Sequence, residues 1–190
     1  MSMYKSMRVS SMRLWHGVLV LVLTLLLAAC ATPARREQMT IATPTPSHTA
    51  PAALKQAISL GPVSGGKQTN PLWVSNISSE DFEAALRSSM LAAQLLVPDG
   101  KECRVKLTAQ LLSLAQPAFG LDMTVTASVL YTLVDCRTQK EVWVQTITLP
   151  YTAAFGDSLI GVERLKLANE GAARVNIQKL VELLAAYQPN

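Results

Sequence analysis

The sequence predicts an α+β fold, a two-layer β-α-β-β-β-α domain in which two helices cover one face of an antiparallel sheet. Two stretches with apolar residues three and four positions apart predict the helices. Three consecutive stretches, separated by short turns, are rich in β-branched residues and alternate between two kinds of side chain. They predict strands that pair as hairpins. The chain has 190 residues, which is enough for one domain of ordinary size.

The first strand is predicted at about 55–63, and it ends at a glycine-rich loop. The first helix is predicted at 79–97, because Ser78 or Ser79 can cap its amino end and Pro98-Asp99-Gly100 ends it. Its apolar stripe comprises Phe82, Leu86, Ser89, Met90, Ala93 and Val97.

The hairpin strands are predicted at about 103–115, 122–136 and 141–151, with turns at 117–120 and 137–140. In the last strand, small and β-branched residues alternate with Trp143 and Ile147. Such alternation predicts a strand with one face toward the core and one toward water.

The final helix is predicted at about 160–187, with Asp157 or Ser158 as its cap. Asn169 and Asn176 lie seven positions apart on its apolar stripe. A buried amide needs hydrogen-bond partners, so we expect these two side chains to bond loop or sheet-edge backbone. Contact with a ligand or a protein partner is the alternative.

Two of the three cysteines, Cys103 and Cys136, are placed symmetrically about a point between residues 119 and 120. That point lies within the predicted turn, so we expect the cysteines to face each other as a disulfide, with Arg104 opposite Asp135. Two buried free thiols are the alternative.

The first 29 residues have the features of an export signal. Three basic residues precede an apolar run from Gly17 to Leu27, which is too short to span a bilayer. The run ends in Leu27-Ala28-Ala29-Cys30, which resembles the bacterial lipobox. This resemblance implies cleavage before Cys30 and acylation of that cysteine by fatty acids such as palmitate. Ala31, in place of an aspartate, implies the outer membrane and its periplasmic face.

Residues 31–53 are rich in Pro, Thr and Ala and have no apolar periodicity. We therefore expect Cys30 to be followed by a partly extended tether up to residue 53, with a single domain over 54–190. His48 lies in this stretch and is expected to be solvated.

The charge and the motifs argue against nucleic acid, nucleotide, metal and cofactor binding. From residue 30 onward there are 14 Lys and Arg against 13 Asp and Glu, so no strongly basic surface is expected. The stretch Gly61 to Gln68 departs from the phosphate-binding loop, because Gln68 replaces a hydroxyl and no helix start follows. No histidine follows His48, which disfavours a catalytic triad or a zinc site.

Two stretches are unusual for mere surface, namely Asn70 to Val74 and Phe155 to Leu165, the second of which enters the last helix. The loop around Asn70 and Trp73 carries a tryptophan that either packs against the helices or offers an anchor to a partner. Glu170 and Arg174 are spaced as an i,i+4 pair, which predicts a solvated surface ion pair.

The lipobox, the proline-rich stretch and the single α+β domain together resemble small proteobacterial outer-membrane lipoproteins. The nearest architectures are the LPS-assembly lipoprotein and the auxiliary lipoproteins of ABC-type lipid transporters. The segments Thr69 to Trp73 and Gly161 to Gly171 resemble those of an uncharacterised lipoprotein group whose members are sometimes labelled acyltransferases. The resemblance implies a non-enzymatic periplasmic module that binds an envelope protein in envelope assembly or lipid transport. A lipid or glycan carrier with an apolar pocket and an envelope hydrolase are the alternatives.

Overall fold

The computed structural model describes residues 31–41, 53–71, 74–98 and 100–188. These residues belong to one compact unit, Ala31–Asn190. The elements in chain order are α1 (Arg36–Met39), β1 (Ile58–Ser64), α2 (Ser79–Ala92), β2 (Val105–Ala115), β3 (Met123–Asp135), β4 (Glu141–Ala153), a 3₁₀ turn (Phe155–Asp157) and α3 (Gly161–Ala185). The predicted α+β class and its six elements are confirmed, and α1 is an addition.

The four strands form one sheet in the order β1-β2-β3-β4. The β2–β3 and β3–β4 pairs are antiparallel, as predicted, but β1 runs parallel to β2. The sheet is therefore mixed, because α2 returns the chain so that β2 starts beside the start of β1. The carboxyl ends of β1, β2 and β4 consequently lie with the amino end of β3. We call this end of the sheet the upper end and the opposite one the lower end.

One face of the sheet carries the core. Alternate residues of β3 are buried, and residues from α2 and α3 pack on the same face. The largest fully buried side chains include Tyr131, Phe82, Ile58, Leu86, Met90, Leu107, Leu133 and Ile177. The opposite face bears hydroxyl pairs such as Thr124 with Thr152 and Ser128 with Thr148, each with oxygens 2.8 Å apart.

The predicted hairpin register of β2 and β3 is wrong by one residue. Asp135 pairs with Val105 rather than with Arg104, and the register shifts again between Leu111 and Ser113. The predicted disulfide is nevertheless present, with the Cα atoms of Cys103 and Cys136 6.1 Å apart. Both cysteines lie just outside the strands at the lower end, where the chain can accommodate the offset.

The helix caps are partly as predicted. Ser78 caps α2, because its Oγ accepts the N–H of Asp81 at 3.0 Å. At α3 the prediction is wrong, since Ile160 is the cap residue and makes no side-chain bond. Asp157 instead accepts the N–H of Ala154, and Ser158 accepts that of Ile160, so both organise the preceding loop.

Candidate functional site

Exposed apolar side chains gather at the upper end of the domain. They come from two connections that the topology places there, the β2–β3 loop and the segment between β4 and α3. These side chains are Phe119 (88% exposed), Leu121 (73%), Phe155 (46%), Leu159 (79%) and Ile160 (50%). We call this set the apolar end. Such a concentration of large apolar groups in two neighbouring loops indicates a contact surface.

Arg164, in the first turn of α3, joins the two loops of the apolar end. It is only 5% exposed, and its guanidinium donates to the carbonyls of Ser158 and Gly120, the latter at 3.2 Å. The same group lies 5.2 Å from the ring centroid of Phe155. Asp122 accepts the N–H of Phe155 at 2.9 Å and adds a second link. The two loops are therefore held as one surface.

The N-terminal segment, residues 31–41, lies on α2 and α3 rather than projecting into solvent. Hydrogen bonds of its backbone and side chains join it to the domain along its length. Ala31 N–H donates to Pro71 O (2.8 Å), Ser75 Oγ to Thr32 O (2.8 Å), Lys166 Nζ to Thr32 Oγ1 (3.2 Å), Ala34 N–H to Asn76 O (3.3 Å), Arg174 Nη1 to Gln38 O (2.6 Å) and Ile41 N–H to Ser89 Oγ (3.0 Å). Ala31, Ala34 and Met39 are buried.

The prediction of a tether over residues 31–53 is therefore wrong for residues 31–41. Pro33 and the missing periodicity argue against a regular element, but this segment gains order from tertiary contacts. Met39 is fully buried in the main core, together with residues of α2 and α3. Residues 42–52, including His48, lie outside the described ranges.

Glu170 links α3 to the N-terminal segment by two hydrogen bonds. Its side chain is 2% exposed, and Oε1 accepts both the backbone N–H of Arg35 at 2.9 Å and its Nε at 3.2 Å. The hydrogen bond from Arg35 to this carboxylate raises the pKa of Arg35. The predicted surface pair of Glu170 with Arg174 is thus wrong. Glu170 is buried against Arg35, and Arg174 lies 5.5 Å from the ring centroid of Tyr151.

Asn169 and Asn176 are fully buried and bond within the domain, as the first interpretation of these residues predicts. Asn169 donates to Ser75 O at 2.8 Å and accepts from Gln116 at 2.8 Å. Asn176 donates to the sheet carbonyls of Ala127 and Ile147 and accepts from the hydroxyl of Tyr131 at 2.9 Å. Neither amide is offered to a partner on the surface of this structure, so both are structural residues here.

Three predicted site residues remain, namely Cys30, Asn70 and Trp73. Cys30 and Trp73 lie outside the described residues, so their roles in lipidation and partner contact stay predictions. Asn70 is exposed, and its backbone forms a two-way bridge with Val74.

A groove of about 700 Å³ opens at the lower end of the domain. Trp143, Leu183 and Tyr187 form an apolar wall, and Arg104 and Asp135 lie on its polar side. The N–H and hydroxyl of Thr138 bond Asp135 and hold the pKa of its carboxyl below the usual range. This volume lies in the range of small-molecule sites.

Among the described residues, no group of three or more His, Cys, Asp and Glu side chains is placed to hold a metal ion. The glycine-rich stretch is the end of β1, and Gly65 turns the chain at a φ of +84° beside Leu111. No helix follows it directly, which disfavours a phosphate site. Across the same ranges, no helix has the length and apolarity needed to cross a bilayer.

Comparison with solved structures shows a shared fold. A Xanthomonas campestris protein of the DUF330 family superposes with a TM-score of 0.60 at 15% identity, over 80% of this chain and 94% of the other. A candidate lipoprotein from Caulobacter crescentus gives 0.49 at 14% identity, with 70% and 91% covered. PelC from Paraburkholderia phytofirmans, crystallised as a dodecamer, gives 0.48 at 17% identity, with 74% and 95% covered. The last two similarities are too weak to support an inference.

The first similarity shows the fold alone, because its sequence identity is low. No family model matches the sequence. No curated protein matches it either. The resemblances to the LPS-assembly lipoprotein and to the acyltransferase-labelled group therefore stay predictions.

The sequence analysis singled out the stretch Phe155 to Leu165, but it missed the contribution of Phe119 and Leu121 to the apolar end, and it missed the N-terminal segment. The apolar end left a visible signal, because its large apolar residues lie in or next to predicted connections between elements. That the two loops meet through Arg164 depends on the fold. The N-terminal segment left almost no local signal, because Arg35 and Glu170 are 135 positions apart.

Proposed function

We propose that this chain is a non-catalytic lipoprotein, anchored by acylated Cys30 to the periplasmic face of the outer membrane, that binds an envelope protein. In this proposal the protein acts in envelope assembly or lipid transport. The lipobox-like end of the apolar run supports the anchor. The disulfide between Cys103 and Cys136 fits an oxidising compartment. The fold shared with the DUF330 protein is compatible with this role.

The observation that carries the partner-binding proposal is the outer edge of β4. Among the described residues, β4 pairs with β3 on one side only, along a strand of 13 residues. Val142, Val144, Thr146 and Thr148 are exposed, and Glu141 is the strand's one charged residue. A long edge with few charges can accept an additional strand from a partner.

Pro150 limits where such a strand can pair. Proline has no N–H, so in a sheet it occupies positions whose amide faces the free edge. Thr146 and Thr148 share this side, because amide direction alternates along a strand. We therefore expect a partner to pair with the first part of β4, up to Thr148.

Site-specific photocrosslinking in intact cells tests this proposal. A photoreactive residue at Thr146 should trap one defined envelope protein, whereas the same residue at Lys140, in the β3–β4 turn, should not. Thr146→Pro removes the edge-facing amide and should abolish the product from a probe at Val144, while Thr146→Ala should retain it. Equal trapping at all positions, or none along β4, would contradict the edge as the contact.

The lower groove favours a second candidate, a carrier of an amphiphile. Its apolar wall and its Arg104–Asp135 side could hold an acyl chain and a polar head. Trp143→Ala should then lower the lipid that copurifies with the protein, measured by mass spectrometry, whereas Phe119→Ala at the opposite end should not. Absence of bound lipid from the unaltered protein would contradict this candidate.

A further inference from the structure

The N-terminal segment runs along α3 in a fixed direction. Thr32 contacts Lys166, Arg35 contacts Glu170 and Gln38 contacts Arg174. Successive contacts thus advance by about one helical turn, so the segment runs parallel to α3. Its first residue lies toward the amino end of that helix, at the upper end of the domain. Lys166 is only five residues, about 7.5 Å of helix, beyond Gly161.

This direction brings Ala31, the first described residue, toward the apolar end. Ala31 is 5% exposed, and its N–H is fixed to Pro71 O at 2.8 Å. A trans peptide bond keeps the Cα atoms of residues 30 and 31 about 3.8 Å apart. Only one peptide bond would therefore separate an acylated Cys30 from the fixed residue Ala31.

From this juxtaposition we propose that the apolar end inserts into the lipid interface next to the acyl anchor. The inference rests on the acylation of Cys30 in the proposed function. The domain then lies directly on the bilayer, with the sheet's lower end and disulfide facing away. This differs from the domain held at a distance that a proline-rich tether predicts.

The composition of the apolar end fits a lipid interface. Exposed Phe, Leu and Ile side chains favour the boundary between headgroups and acyl chains. The carboxylates of Asp122 and Asp157 accept backbone N–H groups of the same loops. Arg164 holds both loops together, so little ordering is needed when the surface meets lipid.

Spin labelling of the acylated chain in phosphatidylethanolamine–phosphatidylglycerol vesicles tests the proposal. Phe119→Cys and Leu159→Cys place labels at the apolar end, and Lys140→Cys places a control label at the lower end. Each variant has one free thiol, since Cys30 is acylated and Cys103 is bonded to Cys136. All three positions are exposed, so the labels leave the core unchanged.

We expect the collision rate between the spin label and a water-soluble nickel complex to be about fivefold or more lower at positions 119 and 159 than at position 140, because insertion excludes water from the label. Equal collision at all three sites, in protein that floats with the vesicles, would overturn insertion and leave the anchor intact. Spin–spin broadening at 159 would overturn it in favour of contact between two copies. Protein that fails to float would overturn the anchor as well.

Discussion

The carboxylate of Glu170 receives both the backbone N–H and the guanidinium of Arg35, which precedes it by 135 positions. This contact joins the middle of the last helix to the residues that follow Cys30. With the other hydrogen bonds of residues 31–41 and the buried side chain of Met39, it holds the N-terminal segment on the domain.

Replacing Glu170 should release the N-terminal segment. Glu170→Ala leaves the Arg35 N–H without its acceptor, which we expect to cost about 1–3 kcal/mol in the free energy of unfolding. Amide hydrogen exchange should accelerate at Arg35 and Ile41 more than in β3. Glu83→Ala, which removes an exposed i,i+4 pair, is the matched control and should change little. Unchanged exchange at Arg35 would show that the segment does not depend on this contact.

Gly171 allows α3 to approach β4. A Cβ at this position would overlap the ring of Tyr151. Gly171→Ala should therefore destabilise the domain by about 1–3 kcal/mol, although alanine favours a helix over glycine by about 1 kcal/mol. Urea unfolding measures the change.

Gly156→Ala is the control for this substitution, because a methyl group there would meet no atom within 4 Å apart from those of the same residue and its chain neighbours. It should leave the urea midpoint nearly unchanged. The double variant Gly171→Ala with Tyr151→Ala should lose less than the sum of the two single changes. Strict additivity would contradict the proposed clash.

The hydroxyl of Tyr131 donates to Asn176 inside the core, and burial raises the pKa of this tyrosine. Tyr131→Phe should cost about 1–3 kcal/mol, since it leaves a buried amide oxygen without that donor. Tyr187→Phe, near the exposed lower groove, should cost much less. Thermal unfolding of both variants provides the comparison, and similar losses would argue against a distinct role for the buried bond.

The disulfide should contribute to stability through the length of the loop it closes. Cys103 and Cys136 are 33 positions apart, so chain-entropy arguments give about 3–4 kcal/mol. The double serine variant should show this loss in urea unfolding. The unaltered chain under reducing conditions should lose a similar amount. A loss in only one of these two experiments would contradict an entropic origin.

Local patterns predicted most of this fold. The stripe of Phe82, Leu86 and Met90 and the buried alternation of β3 follow from residue spacing alone, and both are observed. The parallel direction of β1 was missed, because a single short strand does not reveal which neighbour it joins. The one-residue register error arose from reading Cys103 and Cys136 as directly opposed, whereas they lie outside the paired residues.

The candidate site was harder to predict, because it depends on contacts between segments that are far apart in the chain. Glu170 and Arg174 have the spacing of a surface pair, and only the covering segment reveals Glu170 as buried. Asn169 and Asn176 were predicted to be buried amides that bond backbone groups. The individual residues that accept these bonds were not predicted. Contacts between distant segments, such as Arg164 with Gly120, leave no local spacing to detect.

The acylation of Cys30 is the central claim, and mass spectrometry of the mature amino-terminal peptide tests it most directly. The account predicts a peptide that begins at Cys30 and carries a diacylglycerol thioether and an amide-linked acyl chain. A peptide with an unmodified amino end, or one that still contains the preceding apolar run, would contradict the anchor.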